Sequence, residues 1–200
     1  MKKLIYTFFF CIALNVSAQS AGQATSVFQK IKEVTKIDKN DRAVYDLLDE
    51  FYNKNLQAEK DEMTAETVQR IEKLASNPDT KNLHILMLFL MYQQHISRTS
   101  MAGKTPDTDF QIEAMTLLEK ETQEIYGKVP AIIYIYKAEA LDGAGKKNEA
   151  KAAVDQGLKV YPDSVPLKVY SYLNTKDEVL KNDLVKNHTN HWMVQQFGIK

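Results

Sequence analysis

His188 and His191 form the one pair in this 200-residue sequence whose spacing suits a metal ion. Residues three apart on a helix share a side, so both imidazoles would point the same way. Zinc needs three or four donors. Asp183 is the nearest carboxylate, Asn187 and Asn190 are poor ligands, and no cysteine stands nearby. The competing reading is helix-boundary chemistry, with Thr189 or Asn190 capping the last helix and the histidines half exposed. A metal- or small-molecule-binding role stays open as an alternative, and no metal ligands are assigned.

The remaining chemistry-bearing residues point away from catalysis. His84 sits in the apolar segment Leu83 to Tyr92 and reads as an interior or boundary histidine. His95 lies at the polar end of the same segment, where a cation suits the helix dipole. Asp49-Glu50 and Asp61-Glu62 are adjacent in sequence, so on a helix each pair diverges and reads as a solvated face. No Gly-x-Ser-x-Gly elbow and no phosphate-cradling glycine loop occurs. The single cysteine, Cys11, lies in the N-terminal apolar run. The expectation is a protein that is not an enzyme and needs no cofactor.

The N-terminus carries an address. Lys2 and Lys3 precede the apolar run Leu4 to Leu14, and Val16-Ser17-Ala18 offers small residues for cleavage. The run is shorter than the roughly twenty residues that cross a hydrocarbon core. Residues 1–18 are therefore expected to be a signal peptide, with an uncleaved anchor as the rival, and residues 19–25 a flexible leader. The protein is expected to be exported, periplasmic or secreted, without stable membrane insertion after cleavage. Cleavage takes two lysines from the 26 basic residues and nothing from the 26 acidic ones, leaving 24 against 26 and a formal charge of −2. A nucleic-acid binder would show a basic face, so no nucleic-acid partner is expected. Without Cys11 the mature chain has no disulfide, and packing alone must hold it.

Residues 26–200 read as one helical domain. Seven glycines and five prolines leave few helix breakers. Val27, Ile31 and Val34 recur at helical spacing, followed by Val44, Leu47, Leu48 and Phe51, with Asp41 as a start and Lys54-Asn55 as a fraying end. Thr64 is positioned to cap a third helix carrying Val68, Ile71 and Leu74, which stops at Asn77-Pro78. Leu83 to Tyr92 lacks a polar face, so this helix belongs at the centre. Thr99 to Asp107 is expected to be a loop, either functional or a tolerated insertion. Helix resumes after Thr108 with Phe110, Ala114, Leu117, Leu118 and Ile125 on one face. At the chain end, Trp192, Met193 and Phe197 offer the apolar side of a short capping helix closed by Gly198.

Ala131 to Ser164 spans thirty-four residues and carries the most regular pattern in the chain. Tyr134, Ala138, Ala140, Gly145, Glu149, Ala150, Gly157, Leu158 and Pro162 fall where a tetratricopeptide repeat prefers an aromatic, small residues, a turn glycine and a closing proline. This segment resembles that family over about a sixth of the chain. The physics stands apart from the name: small residues at Ala138, Ala150 and Gly157 let two helices approach, Gly145 permits a tight turn, and Pro162 stops the second helix. Such a pair needs neighbours to cover its apolar faces. Candidate neighbours start near residues 41, 81 and 165 but do not keep the period. The expected fold class is all-α, with antiparallel helix pairs stacked as a tetratricopeptide-like α-solenoid or a helical bundle.

The resemblance implies binding through the first helix of each pair. By position, Ile132, Ile135, Tyr136 and Glu139 would face a groove, continued by Val169, Tyr170 and Leu173. That groove is aromatic and mostly uncharged, suited to a protein or peptide partner. Family members that clasp a terminal carboxylate place lysine and asparagine where Ile135 and Glu139 stand here, so an anionic peptide end is not the expected ligand. The tyrosines have an alternative role as packing against neighbouring helices.

Overall fold

The structure, a computed structural model, describes residues 22–59 and 64–200. The expected signal peptide and residues 19–21 of the expected leader lie outside the described residues. Among those described, the chain is all-α, with no strand. In chain order come α1 (Gln23–Val34), α2 (Ala43–Tyr52), α3 (Ala65–Ser76), α4 (Leu83–Met101), α5 (Thr108–Tyr126), α6 (Ala131–Gly143), α7 (Lys147–Val160), α8 (Val165–Thr175), α9 (Glu178–Asn187) and α10 (Trp192–Gln196). A π-helical turn, Asn53–Gln57, extends α2.

Several helix starts follow from single polar residues. The Thr64 hydroxyl accepts the amide of Thr67. Asp107 accepts from Asp109 and Phe110, Ser164 from Leu167, and Asp177 from Val179 and Leu180. Each side chain satisfies first-turn amides that have no partner within the helix. Pro166 in the first turn of α8 gives up no hydrogen bond there.

Helix α4 is central, as its apolar run, interrupted by His84 alone, requires: His84, Ile85, Leu86 and every residue from Leu88 to Tyr92 are buried. Helices α1 and α3 pack on it, and α2 crosses both α4 and α6. From α4 to α9 each helix packs on the next, and α6 with α7 makes the most extensive pair. Gly145 closes their turn at φ 74°, a left-handed conformation that costs glycine little. Gly157 sets their approach. A Cβ there would stand 3.0 Å from Tyr134 Cβ and 2.9 Å from Leu167 Cδ1, so the missing side chain is what lets α6, α7 and α8 meet.

Three boundaries differ from expectation. Helix α1 begins at Gln23 and not at Ser26, with Ala24 fully buried and the amides of Gly22 and Thr25 donating to the Glu113 carboxylate at 3.0 and 3.3 Å. A carboxylate on α5 suits the positive end of α1, and a distant residue of this kind leaves no local trace. Helix α4 runs on through Met101, which shortens the expected loop to residues 102–107. Lys54 and Asn55 do not fray. They belong to the π turn, where Asn55 donates to the Phe51 carbonyl at 2.8 Å and Lys54 pairs with Glu50 at 2.8 Å.

Candidate functional site

A line of aromatic rings crosses successive helix pairs. The Tyr136 ring on α6 stacks on Tyr92 of α4, with centroids 5.2 Å apart and planes at 25°, and lies 6.4 Å from Phe89. Tyr170 occupies the place on α8 that lies thirty-four residues beyond Tyr136. Its hydroxyl donates to the Glu139 carboxylate, and its ring stands 6.3 Å from Phe197 at a steep angle. Tyr136 and Tyr170 are half-buried, Glu139 is exposed, and Phe197 is 39% exposed.

The helix register explains this exposure. Ala131, Ile132, Ile133 and Ile135 on α6 are buried, as are Val165, Pro166, Leu167 and Val169 at the positions thirty-four residues later. The inward stripe of α8 thus repeats that of α6, and the residue after Ile135 or Val169 turns toward the surface. Of the residues expected to face a partner, Tyr136, Glu139 and Tyr170 come together. Ile135 and Val169 do not belong to the face: both are at 0% exposure, as is Ile132, because their apolar side chains are what pack the pairs. Leu173 is half-buried against the second, C-terminal core around Val169, Leu184 and Met193, and marks the edge of the face. Phe197 was not expected there, and Tyr92, itself buried, backs the face from the core. The apolar context of Tyr92 and the terminal position of Phe197 signalled core and cap, and only the tertiary arrangement brings them to the tyrosines.

Glu139 is open to water on one side and crowded by protein on the others. Burial therefore raises its carboxyl above the usual value, against the opposing effect of the Tyr170 hydrogen bond. The Tyr170 and Tyr92 hydroxyls are pushed up by burial and by the nearby Glu139 charge, so both stay protonated at neutral pH. Neighbouring cations are engaged elsewhere: Lys137 with Glu119, and Lys168 with Asp183 at 2.7 Å.

The C-terminal histidines do not converge. His191 itself caps α10, in place of Thr189 or Asn190, and is 2% exposed. Its Nδ1 accepts the Met193 amide at 3.2 Å, and its Nε2 lies 2.9 Å from the Leu56 carbonyl. An accepting Nδ1 leaves the proton on Nε2, so the ring is neutral and donates to Leu56. Burial holds its pKa below the ordinary value. His188 Nε2 stands 4.0 Å from Asp183 Oδ2. Among the described residues no three His, Cys, Asp or Glu side chains gather in a metal-binding group.

The other two histidines hold the fold. His95 Nε2 accepts the amide of Asp107 at 3.0 Å and its ring lies 4.6 Å from Phe110, which pins the 102–107 connection. It acts as a neutral acceptor and not as the cation expected at a helix end, and burial lowers its pKa. His84 Nε2 lies 3.3 Å from Glu121 Oε2, whose other oxygen receives Lys32 Nζ at 2.5 Å. His84 and Glu121 are buried, and together with Lys32 they tie α1 to α4 and α5. A separate open cleft of about 290 Å³ lies between the π turn and the α7–α8 connection. Its polar lining serves the fold, because Gln57 Oε1 sits 2.6 Å from the Tyr52 hydroxyl and accepts the Val165 amide at 3.0 Å.

Comparison with protein-family models, with characterised proteins and with solved structures gave no match for this chain.

Proposed function

We propose that this chain is an exported, non-enzymatic interaction module, tetratricopeptide-like in construction, that holds a protein or extended peptide of the cell envelope against the face carrying Tyr136, Glu139 and Tyr170. The observation that carries the reading is the repeated placement of a half-buried tyrosine on α6 and α8, the first stacked on buried Tyr92 and the second beside partly exposed Phe197. Tyrosine supplies large contact area at small conformational cost, which is why it is enriched where proteins meet. The thirty-four-residue recurrence of buried positions, the close α6–α7 hairpin and the turn at Gly145 support the tetratricopeptide-like construction. Export rests on the basic and apolar residues at the N-terminus. Among the described residues no helix is long and apolar enough to cross a membrane.

The test replaces Tyr136 and Tyr170 together by alanine and follows a partner identified by affinity capture from the native envelope. Loss of that partner, with helicity and melting largely retained, is the expected outcome. A partner held equally well by the double variant removes this face as the binding site.

A further inference from the structure

The face contains one charged group without a counter-charge. Glu139 receives the hydroxyl of Tyr170, and among the described residues no lysine or arginine forms an ion pair with it. Several other carboxylates do have one. Glu50 has Lys54 and Arg70, Glu119 has Lys137, Glu121 has Lys32, and Asp183 has Lys168. The two lysines nearest to the row along α6 and α8, Lys137 and Lys168, are both engaged with carboxylates away from the face. A carboxylate crowded by protein and left unpaired is costly to hold charged, and burial raises the Glu139 carboxyl accordingly.

Tyrosines lie near the same group. Tyr92 and Tyr170 both feel the Glu139 charge, and Tyr136 lies near both of these tyrosines. Tyrosine faces attract cations, by roughly 0.5–2 kcal/mol depending on desolvation. Glu139 Oε1 takes the Tyr170 hydroxyl, and the residue as a whole is exposed. On the reading that this face holds a protein partner, we infer that it takes an arginine side chain of that partner, seated on the tyrosine rings and paired with Glu139. Guanidinium suits this surface better than ammonium, because it is planar, stacks on aromatic rings and is more weakly hydrated. Pairing would also relieve the desolvation that Glu139 bears in the unliganded chain.

The test pans a random twelve-residue peptide library against the purified chain. The expected result is a set of peptides with arginine at one fixed position beside apolar residues. A representative peptide should bind Glu139→Gln at least tenfold more weakly. Replacing its arginine by citrulline, a neutral isostere, should weaken binding to the wild type by a similar factor and cause little further loss on the variant. Glutamine at 139 still accepts the Tyr170 hydroxyl, so unchanged melting of that variant separates lost charge from lost fold. Selected peptides without basic enrichment that bind Glu139→Gln as tightly as wild type overturn the arginine assignment. If those peptides are lost on Tyr136→Ala, the aromatic face still stands as the binding site. If no peptides are selected, or if their binding ignores both substitutions, the face and its ligand fall together.

Discussion

Replacing Gly157 by alanine forces a methyl group into the contact between α6, α7 and α8. Its carbon would stand 2.9 Å from Leu167 Cδ1, 3.0 Å from Tyr134 Cβ and 3.1 Å from Tyr134 Cγ. Leu167 Cδ1 is the end of a flexible chain and can move aside. Tyr134 Cβ is fixed to the α6 backbone and cannot move without shifting the helix. Inside a helix, alanine in place of glycine normally stabilises by about 0.5–1 kcal/mol. Overpacking a close contact costs about 1–3 kcal/mol, so the net change should be a loss of roughly 1 kcal/mol, or about 2–4 °C in melting temperature for a chain of this size. Thermal and urea unfolding of the purified variant read this directly. Ala152→Gly, on the exposed side of the same helix, supplies the propensity term alone and should cost about 1 kcal/mol. A Gly157→Ala protein that melts several degrees higher than wild type would refute the close approach, since the position would then behave as an ordinary solvent-facing helix site.

Two further perturbations test how the core is tied. Lys32→Met leaves buried Glu121 without its lysine and should cost about 2–3 kcal/mol, less than breaking a fully buried pair because Lys32 is partly exposed; adding Glu121→Gln should restore part of the loss in urea unfolding. Stability should also fall as pH drops below about 6.5, the ordinary histidine value, because burial lowers the pKa of His84, His95 and His191 in the folded chain. The unfolded chain takes up these protons first, so the stability is complete above that pH and is lost through the window beneath it, until the folded histidines also protonate. Asp49 and Glu139, raised by burial, act in the opposite sense. Comparing melting at several pH values with His191→Asn, which keeps a capping side chain, isolates one histidine and should show a shallower decline.

Much of the architecture was legible because it rests on local chemistry. Thr64 caps a helix wherever it precedes one, and Leu83 to Tyr92 has no face to offer water, so both kinds of residue announce their roles. The α6–α7 hairpin was legible for the same reason, through Gly145 and Gly157. The face was legible only in part. The tetratricopeptide resemblance put Tyr136, Glu139 and Tyr170 in an expected groove but did not separate them from buried Ile135 and Val169, because position in a repeat gives the side of a helix more coarsely than packing does. Tyr92 and Phe197 lay beyond its reach, since their nearness to the tyrosines depends on how α4 and the chain end dock. Long-range polar ties were silent as well: Glu113 with α1, His191 with Leu56, and His95 with Asp107 join residues whose neighbours in sequence give no hint of the partner.

The claim on which the account turns is that the aromatic row is the contact surface. A photo-reactive p-benzoylphenylalanine at position 197, beside Tyr170 and already partly exposed, tests it in the native cell. The same probe at exposed Gln156, on α7, serves as the comparison. The account predicts a discrete cross-linked partner from position 197 that disappears when Tyr136 and Tyr170 are replaced by alanine, and none from position 156. Cross-links of equal yield at both positions, or a partner captured only from position 156, would contradict it.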